Sequence, residues 1–175
     1  MIVTLSGTPG NGKNQIISGL KEYGYNVVSK KGADGTMRGQ FTLMKNYRTQ
    51  MEMCLEYESD EEICIFESSF VDMIVYTALW IGIYDDNMEE LKSIREKCID
   101  YQNQYVDLNF NLYSDTSDTT YYNENWNAIA NLYYGKKVQI PYLLNGSKSV
   151  EYNIKEIIEE IEEHASKQQI FVDTR

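Results

Sequence analysis

The sequence predicts an α/β fold, a parallel sheet covered by helices on both faces, and three observations carry that expectation. Short apolar runs alternate with helical patterns along the chain, as strand–helix–strand units require. The first run, Ile2 to Ser6, passes directly into a glycine-rich turn and then a helical pattern. Four further strand-like runs follow, at Tyr25–Ser29, Glu62–Glu67, Leu108–Tyr113 and Val138–Leu144.

Each element has its own reason. Ile2 to Ser6 reads as a buried strand. Asn14 to Tyr23 reads as a helix with Ile16, Ile17 and Leu20 on one side. Val27 and Val28 mark the second strand, and residues 30–39 a Gly- and Lys-containing loop. Gln40 to Tyr57 has a helical period through Phe41, Met44, Met51 and Leu55. Ile63-Cys64-Ile65-Phe66 marks the third strand. Val71 to Ile83 is a strongly apolar helix. Asp86 to Gln102 is another, with Met88, Leu91, Ile94 and Cys98 at steps of three and four. Leu108 to Tyr113 alternates Leu, Phe and Leu with Asn as a fourth strand, and Tyr122 to Tyr134 reads as helical. In the fifth strand Pro141 points to an edge or a strand end. Val150 to His164 is an amphipathic helix with Ile154, Ile157, Ile158 and Ile161 on one face. In such sheets ligands bind at the carboxyl ends of the strands. The residues after Ser6, Ser29, Phe66 and Tyr113 are therefore expected around one cleft.

The bulk properties bound the function. A length of 175 residues suits a single domain spanning 1–175. Hydrophobic content of 42% and charged content of 25% describe a globular chain. No apolar run reaches the roughly 18 residues of a membrane span. The start MIVTLSGTPG has no basic n-region, so the expectation is a cytoplasmic protein. Cys54, Cys64 and Cys98 are odd in number and widely spaced, which fits buried thiols rather than a disulfide or zinc site. A net charge of −11 argues against a nucleic-acid surface, which needs clustered cations. It leaves room for a nucleotide pocket, where a few amides and cations suffice. Arginine is scarce, occurring only as Arg38, Arg48, Arg95 and Arg175. The Asn- and Tyr-rich, Pro-poor composition suits a small AT-rich genome such as a phage's.

The segment Gly7-Thr8-Pro9-Gly10-Asn11-Gly12-Lys13 fits GxxxxGK between a strand and a helix. Its glycines let the backbone turn sharply and aim N–H groups at phosphate oxygens. The following helix, beginning with Asn14 and Gln15, adds the positive end of its dipole. Lys13 would reach the β- and γ-phosphates, and ATP is the expected ligand. Ser or Thr normally follows the lysine and gives a hydroxyl to Mg²⁺. Asn14 stands there instead, which leaves open direct binding by its amide oxygen, binding through water, or lost metal chemistry. Glu67 ends the third strand, where a carboxylate can hold Mg²⁺ through water or act as general base. Asp72, at the start of the next helix, reads equally as a helix N-terminal charge. His164, the sole histidine, sits late in a helix, which excludes a triad or a histidine metal site. Trp80 and Trp126 have core spacing.

The pattern Glu67-Ser68-Ser69-Phe70-Val71-Asp72, with Tyr76 after it, resembles the Asp/Glu-Arg-x-x-x-Asp segment of the P-loop nucleoside and nucleotide kinases. That group includes thymidylate kinases, deoxynucleoside kinases, nicotinamide riboside kinase-like proteins and phage nucleotide kinases. Gln50 is similar to a glutamine upstream of that strand in some members. The resemblance runs over about residues 1–165 in element order, with the phosphate loop as its specific motif. It implies a three-layer P-loop NTPase fold with a five-stranded parallel sheet. It also implies ATP and Mg²⁺ as cofactors and a small-molecule nucleotide or nucleoside acceptor. Glu67 would serve metal or base, and Arg38 and Arg48 would grip the acceptor. Two departures stand out. Ser68 takes the place of the usual arginine. Residues 114–124 hold no Lys or Arg where the family places a cationic lid. Cations would then come from Lys13, Arg38, Arg48, Lys30, Lys31, Lys136 or Lys137. The leading expectation is a small-molecule kinase. The alternative is a nucleotide-binding sensor or inhibitor with little catalysis.

Asn14→Ser is expected to steepen the Mg²⁺ dependence of ATP binding, because a hydroxyl fits an octahedral shell better than a longer amide. ATP titrations across Mg²⁺ concentrations check this. Loss of binding in Asn14→Ser would give Asn14 a role of its own.

Overall fold

A strand that is apolar and covered on both faces belongs in the middle of a parallel sheet, and β1 (Ile2–Gly7) is buried at all six positions. A computed structural model of the chain describes residues 1–8, 10–28, 48–49, 51–52, 55, 63–84, 88–113 and 121–173. After β1 come α1 (Lys13–Glu22), β2 (Asn26–Val28), β3 (Cys64–Phe66), α2 (Phe70–Tyr84) and α3 (Met88–Tyr105). Then follow β4 (Leu108–Tyr113), α4 (Tyr121–Ala130), β5 (Tyr142–Asn145) and α5 (Val150–Asp173). Arg48, Thr49, Met51, Glu52 and Leu55 are also helical. The sheet has five strands in the order β2-β3-β1-β4-β5, and every pairing is parallel.

The period-2 alternation of the strands divides the core. Val3 and Leu5 of β1 and Leu108, Phe110 and Leu112 of β4 face α1 and α5, where Ile16, Leu20, Ile154, Ile157 and Ile161 complete one buried cluster. Gly19 has no side chain there because a Cβ would collide with Ile154, so the missing carbon lets α1 lie close to α5. Ile2 and Phe66 face the other way, onto Met51, Phe70, Met73, Ile74, Ile94 and Cys98. Trp126 is fully buried beside Val71, Val75, Ala130 and Val138, as its spacing predicts. The α/β fold class expected from the sequence is therefore present, with helices on both faces.

Several boundaries move. The fifth strand, expected from Val138, begins at Tyr142, just past Pro141, which has no N–H to give a ladder. Val138 instead closes the turn after α4, where the N–H groups of Lys136, Lys137 and Val138 all point to the carbonyl of Tyr133. That turn ends α4 at Ala130 rather than Tyr134. The last helix runs past Ser166 to Asp173. Cys98 is buried, and burial pushes its thiol up to about 12. Cys64 is only half-buried, which corrects the expectation that it is buried. Cys54, Gln50, Lys30, Lys31 and the loop at 30–39 lie outside the described residues. Among the described residues no helix is long and apolar enough to cross a membrane.

Gly7 is the tightest point of the fold. Its φ is 134°, and a Cβ would lie 2.6 Å from the Leu112 carbonyl oxygen, a backbone atom that cannot swing aside. Gly7→Ala is expected to cost about 2–4 kcal/mol through backbone strain and overpacking together. Urea unfolding of the two proteins measures it.

Candidate functional site

The loop between β1 and α1 has the conformation that its glycines predict. Gly10 and Gly12 have φ of 83° and 91°, a region that side chains disfavour. Gly12 is the N-cap of α1, makes no side-chain cap bond, and is followed by a first turn without acidic residues. The Gln15 N–H donates to the Gly12 carbonyl at 3.1 Å, and the N-terminus of α1 offers the positive end of its dipole to an anion. A Cβ on Gly10 would meet nothing within 4 Å, so the crest of the loop faces open space. Lys13 is buried, and its ammonium donates to the Gly7 carbonyl across the loop. The Asn11 amide donates to the Leu112 carbonyl at 2.6 Å and lies 3.4 Å from the Thr8 hydroxyl. Thr8 is buried, and Asn14 and Gln15 are exposed on the first turn of α1. Pro9 lies outside the described residues.

The strands bring Glu67 to the same end of the sheet. β3 pairs directly with β1 through Thr4–Phe66, and Glu67 is the next residue. Its N–H donates to the Val28 carbonyl at 3.1 Å, which extends the β2–β3 ladder by one bond. Glu67 is 8% exposed, and Ser68 is fully buried. Ser69 then caps α2. Its hydroxyl accepts from the Asp72 N–H at 3.2 Å, and the Asp72 carboxylate accepts from the Ser69 N–H at 2.9 Å. This is a reciprocal capping box. The side-chain Oε1 of Gln102 accepts from the Phe70 N–H at 3.1 Å.

A buried polar cluster lies beneath the loop. β1 and β4 turn Thr4, Ser6 and Asn109 toward the α2 side, away from the apolar Val3–Leu5 face. The Thr4 hydroxyl donates to the side-chain Oδ1 of Asn109 at 2.9 Å, and the Ser6 hydroxyl donates to the Asp72 carboxylate at 2.9 Å. The Tyr134 hydroxyl stands 3.0 Å from Ser6. Burial, reinforced by the Asp72 charge, pushes the Tyr134 phenol up to about 12 against the pull of hydrogen-bond contacts with Ser6, Ser69 and Asn109. Sequence reasoning left out Ser6, Asn109 and Tyr134. The Ser69-x-x-Asp72 spacing announces the cap, but a bond spanning from residue 6 to residue 72 leaves no sequence signal.

The other expected residues are spread further. Arg38 lies outside the described residues, as do residues 114–120. Arg48 stands 3.4 Å from Glu52, one helical turn on, and the same carboxylate oxygen is 3.0 Å from Lys97 of α3. Lys136 and Lys137 are exposed in the turn after α4, and His164 is on α5. Among the described residues no group of three His, Cys, Asp or Glu could hold a metal by itself. A Mg²⁺ ion carried by nucleotide phosphates needs only one or two protein ligands. Glu67 and Asn14 are of the right chemical type for that.

Sheet order, glycine loop and lysine together define the class. This is the three-layer α/β P-loop fold found in nucleoside and nucleotide kinases. Among solved structures, the chain is similar to deoxyadenosine kinase from M. mycoides with bound dCTP, at 15% identity and a TM-score of 0.63, covering 93% of this chain and 100% of that one. It is also similar to thymidylate kinase from Candida albicans, at 12% identity and a TM-score of 0.64, covering 94% and 92%. The thymidylate kinase from Ehrlichia chaffeensis gives 15% identity and a TM-score of 0.58, covering 92% and 98%. At these identities the likeness is one of fold. No family model matches the sequence, and no curated protein matches it.

Lys13→Ala is expected to weaken ATP binding roughly tenfold or more, the scale of a charge-assisted contact of about 1.5–3 kcal/mol. The apolar core does not include Lys13, so the thermal midpoint should change little. Calorimetric titration with ATP checks the first, and unchanged affinity in the folded variant would remove the phosphate-loop assignment.

Proposed function

We propose that the chain is a small-molecule kinase that transfers the γ-phosphate of ATP to a (deoxy)nucleotide or nucleoside. One observation carries this reading. The uncapped glycine loop with its buried lysine ends the central strand, and a carboxylate, Glu67, ends the strand beside it. The likeness of fold to kinases acting on deoxyadenosine and thymidylate supports the substrate class.

On this reading the loop amides of Gly10 to Lys13 and the α1 terminus hold the donor's phosphates. The Lys13 ammonium exchanges the Gly7 carbonyl for phosphate oxygens. Mg²⁺, when bound, neutralises charge on the β- and γ-phosphates, and Glu67 and Asn14 would face it. With a hydroxyl acceptor, Glu67 takes the proton as the oxygen attacks the γ-phosphorus and the bond to the β–γ bridging oxygen breaks, leaving ADP. With a monophosphate acceptor no proton needs removal, so Glu67 serves the metal alone. That acceptor also brings more negative charge, while Arg48 already shares a carboxylate with Lys97. A hydroxyl acceptor needs fewer cations.

A second reading has its own support. Asn14 replaces the hydroxyl residue, Ser68 replaces the arginine at a buried position, and residues 114–124 carry no cation. Each removes charge stabilisation from phosphoryl transfer, as in a nucleotide sensor or inhibitor.

Glu67→Gln separates the two. The kinase reading expects turnover to fall about 10²-fold or more, the scale of a general base, with ATP affinity little changed. Phosphoryl transfer over a panel of nucleosides and monophosphates, alongside ATP titration, measures both. A wild-type protein that binds ATP but phosphorylates nothing favours the sensor. Full turnover in Glu67→Gln keeps the kinase and discards Glu67 as its base.

A further inference from the structure

The geometry points to Asp72 as a positioning residue that fixes Glu67 against the phosphate loop, with Tyr134 locking the bond that does so. Asp72 lies in the first turn of α2 and is fully buried. One carboxylate oxygen accepts from the Ser69 N–H and the other from the Ser6 hydroxyl, each at 2.9 Å. Ser6 immediately precedes Gly7, and Ser69 is two residues past Glu67. A single carboxylate therefore joins the roots of the two loops that line the cleft.

Capping α2 explains only half of this. The bond to the Ser69 N–H completes the cap. The bond to Ser6 joins residues 66 positions apart and adds nothing to helix capping. These partners are neutral, and burying a carboxylate on neutral donors is costly next to an apolar side chain of similar size. A cap alone does not require a buried charge, since caps work at exposed helix ends.

Tyr134 makes the tie rigid. Ser6 has one hydroxyl hydrogen, and Asp72 receives it, so in the Tyr134–Ser6 pair the phenol is the donor. The raised phenol keeps that proton at any ordinary pH. With its hydrogen and a lone pair both engaged, the Ser6 hydroxyl cannot rotate, so the link to Asp72 has one geometry. Tyr134 sits in the turn after α4, next to Gly135 with φ of 70°. The order is Tyr134 to Ser6 to Asp72 to Ser69, and it spans β1, α2 and the α4 turn.

The catalytic consequence rests on the kinase reading of Glu67, but the mechanical link does not, and the test reads both. Hydrogen–deuterium exchange would be followed in peptides covering 6–13 and 67–72 of the whole chain, for wild type, Asp72→Asn, Ser6→Ala, Tyr134→Phe and Ser6→Ala with Tyr134→Phe. Turnover and the KM for ATP would be measured on the same proteins. Tyr134→Phe deletes a single oxygen and remains informative if Asp72→Asn fails to fold. Exchange is expected to rise roughly tenfold in both segments together, with α5 unchanged. The value of kcat should fall roughly tenfold or more while KM for ATP stays within about threefold, the pattern of a displaced reacting group. Adding Tyr134→Phe to Ser6→Ala should cost less than Tyr134→Phe alone, because the tyrosine acts in part through the serine and in part through its contacts with Ser69 and Asn109. Loosening of 67–72 alone would reduce Asp72 to a helix cap and overturn the inference. So would additive effects of Ser6→Ala and Tyr134→Phe, or unchanged kcat where both segments loosen. If both segments loosen but wild type phosphorylates nothing, the link between the loops stands and the kinase reading falls. If wild type turns over and the segments do not loosen together, the reverse holds.

Discussion

The absence of a side chain at Gly7 is the constraint on which the rest of the site depends. The Leu112 carbonyl of β4 occupies the space a Cβ would need. Because β4 comes that close, Asn11 can reach the same carbonyl and pin the middle of the loop to the sheet. Lys13 meanwhile returns to the Gly7 carbonyl and closes the loop on itself. The loop is thus held by two hydrogen bonds to strand-end carbonyls before any ligand arrives, and a preformed cradle loses less entropy when it binds. A larger residue at position 7 would push β4 away and release Asn11 as well.

β1 has two faces with different tasks. Val3 and Leu5 contribute apolar burial against α1 and α5, which is non-directional and tolerant of small shifts. Thr4 and Ser6 face a layer where every buried polar atom needs a partner. Asn109 and Asp72 supply those partners, each at 2.9 Å. One face of the strand therefore supplies stability and the other supplies register. The register face is the one that leads into the loop and the Glu67 strand end. The Asn residues in β4 belong to this same face. Asn109 is buried beneath the sheet's second helical layer and Asn111 is half-buried, although alternation with Leu and Phe would equally suit a solvated strand side.

The fold was largely legible because its signals are local. Strand–helix alternation and the glycines of 7–12 depend on neighbours in sequence, and the structure has the expected five strands and the loop between β1 and α1. Boundaries failed where a tertiary contact decided them. The turn at 131–138 is set by three N–H groups converging on Tyr133 and by Tyr134 reaching Ser6, so periodicity alone extended α4 too far. Asp72 reads as a helix-start charge because the cap is a three-residue pattern. Its second bond requires β1, which is adjacent to β3 in the sheet and distant in the chain. Site residues fall on the same divide. The loop is a sequence motif, whereas Ser6, Asn109 and Tyr134 become neighbours only through folding.

The charge distribution of the chain follows from distance. A net charge of −11 acts over the protein's surroundings, where salt screens it beyond about 8 Å. Amide dipoles at a helix terminus act within a single turn. An anion seated on Gly10 to Lys13 is therefore governed by N–H groups and one ammonium a few ångströms away, and the acidic surface beyond adds little. Lys13 is also the one buried Lys or Arg among the described residues. Arg48 and Lys97, by contrast, share Glu52 at the α3 surface. Long polyanions would have to cross the unscreened part of the acidic surface at many points at once, whereas a compact phosphate ester meets it at one. On the reading proposed here, this favours a small nucleotide over a nucleic acid without a single contact to a base.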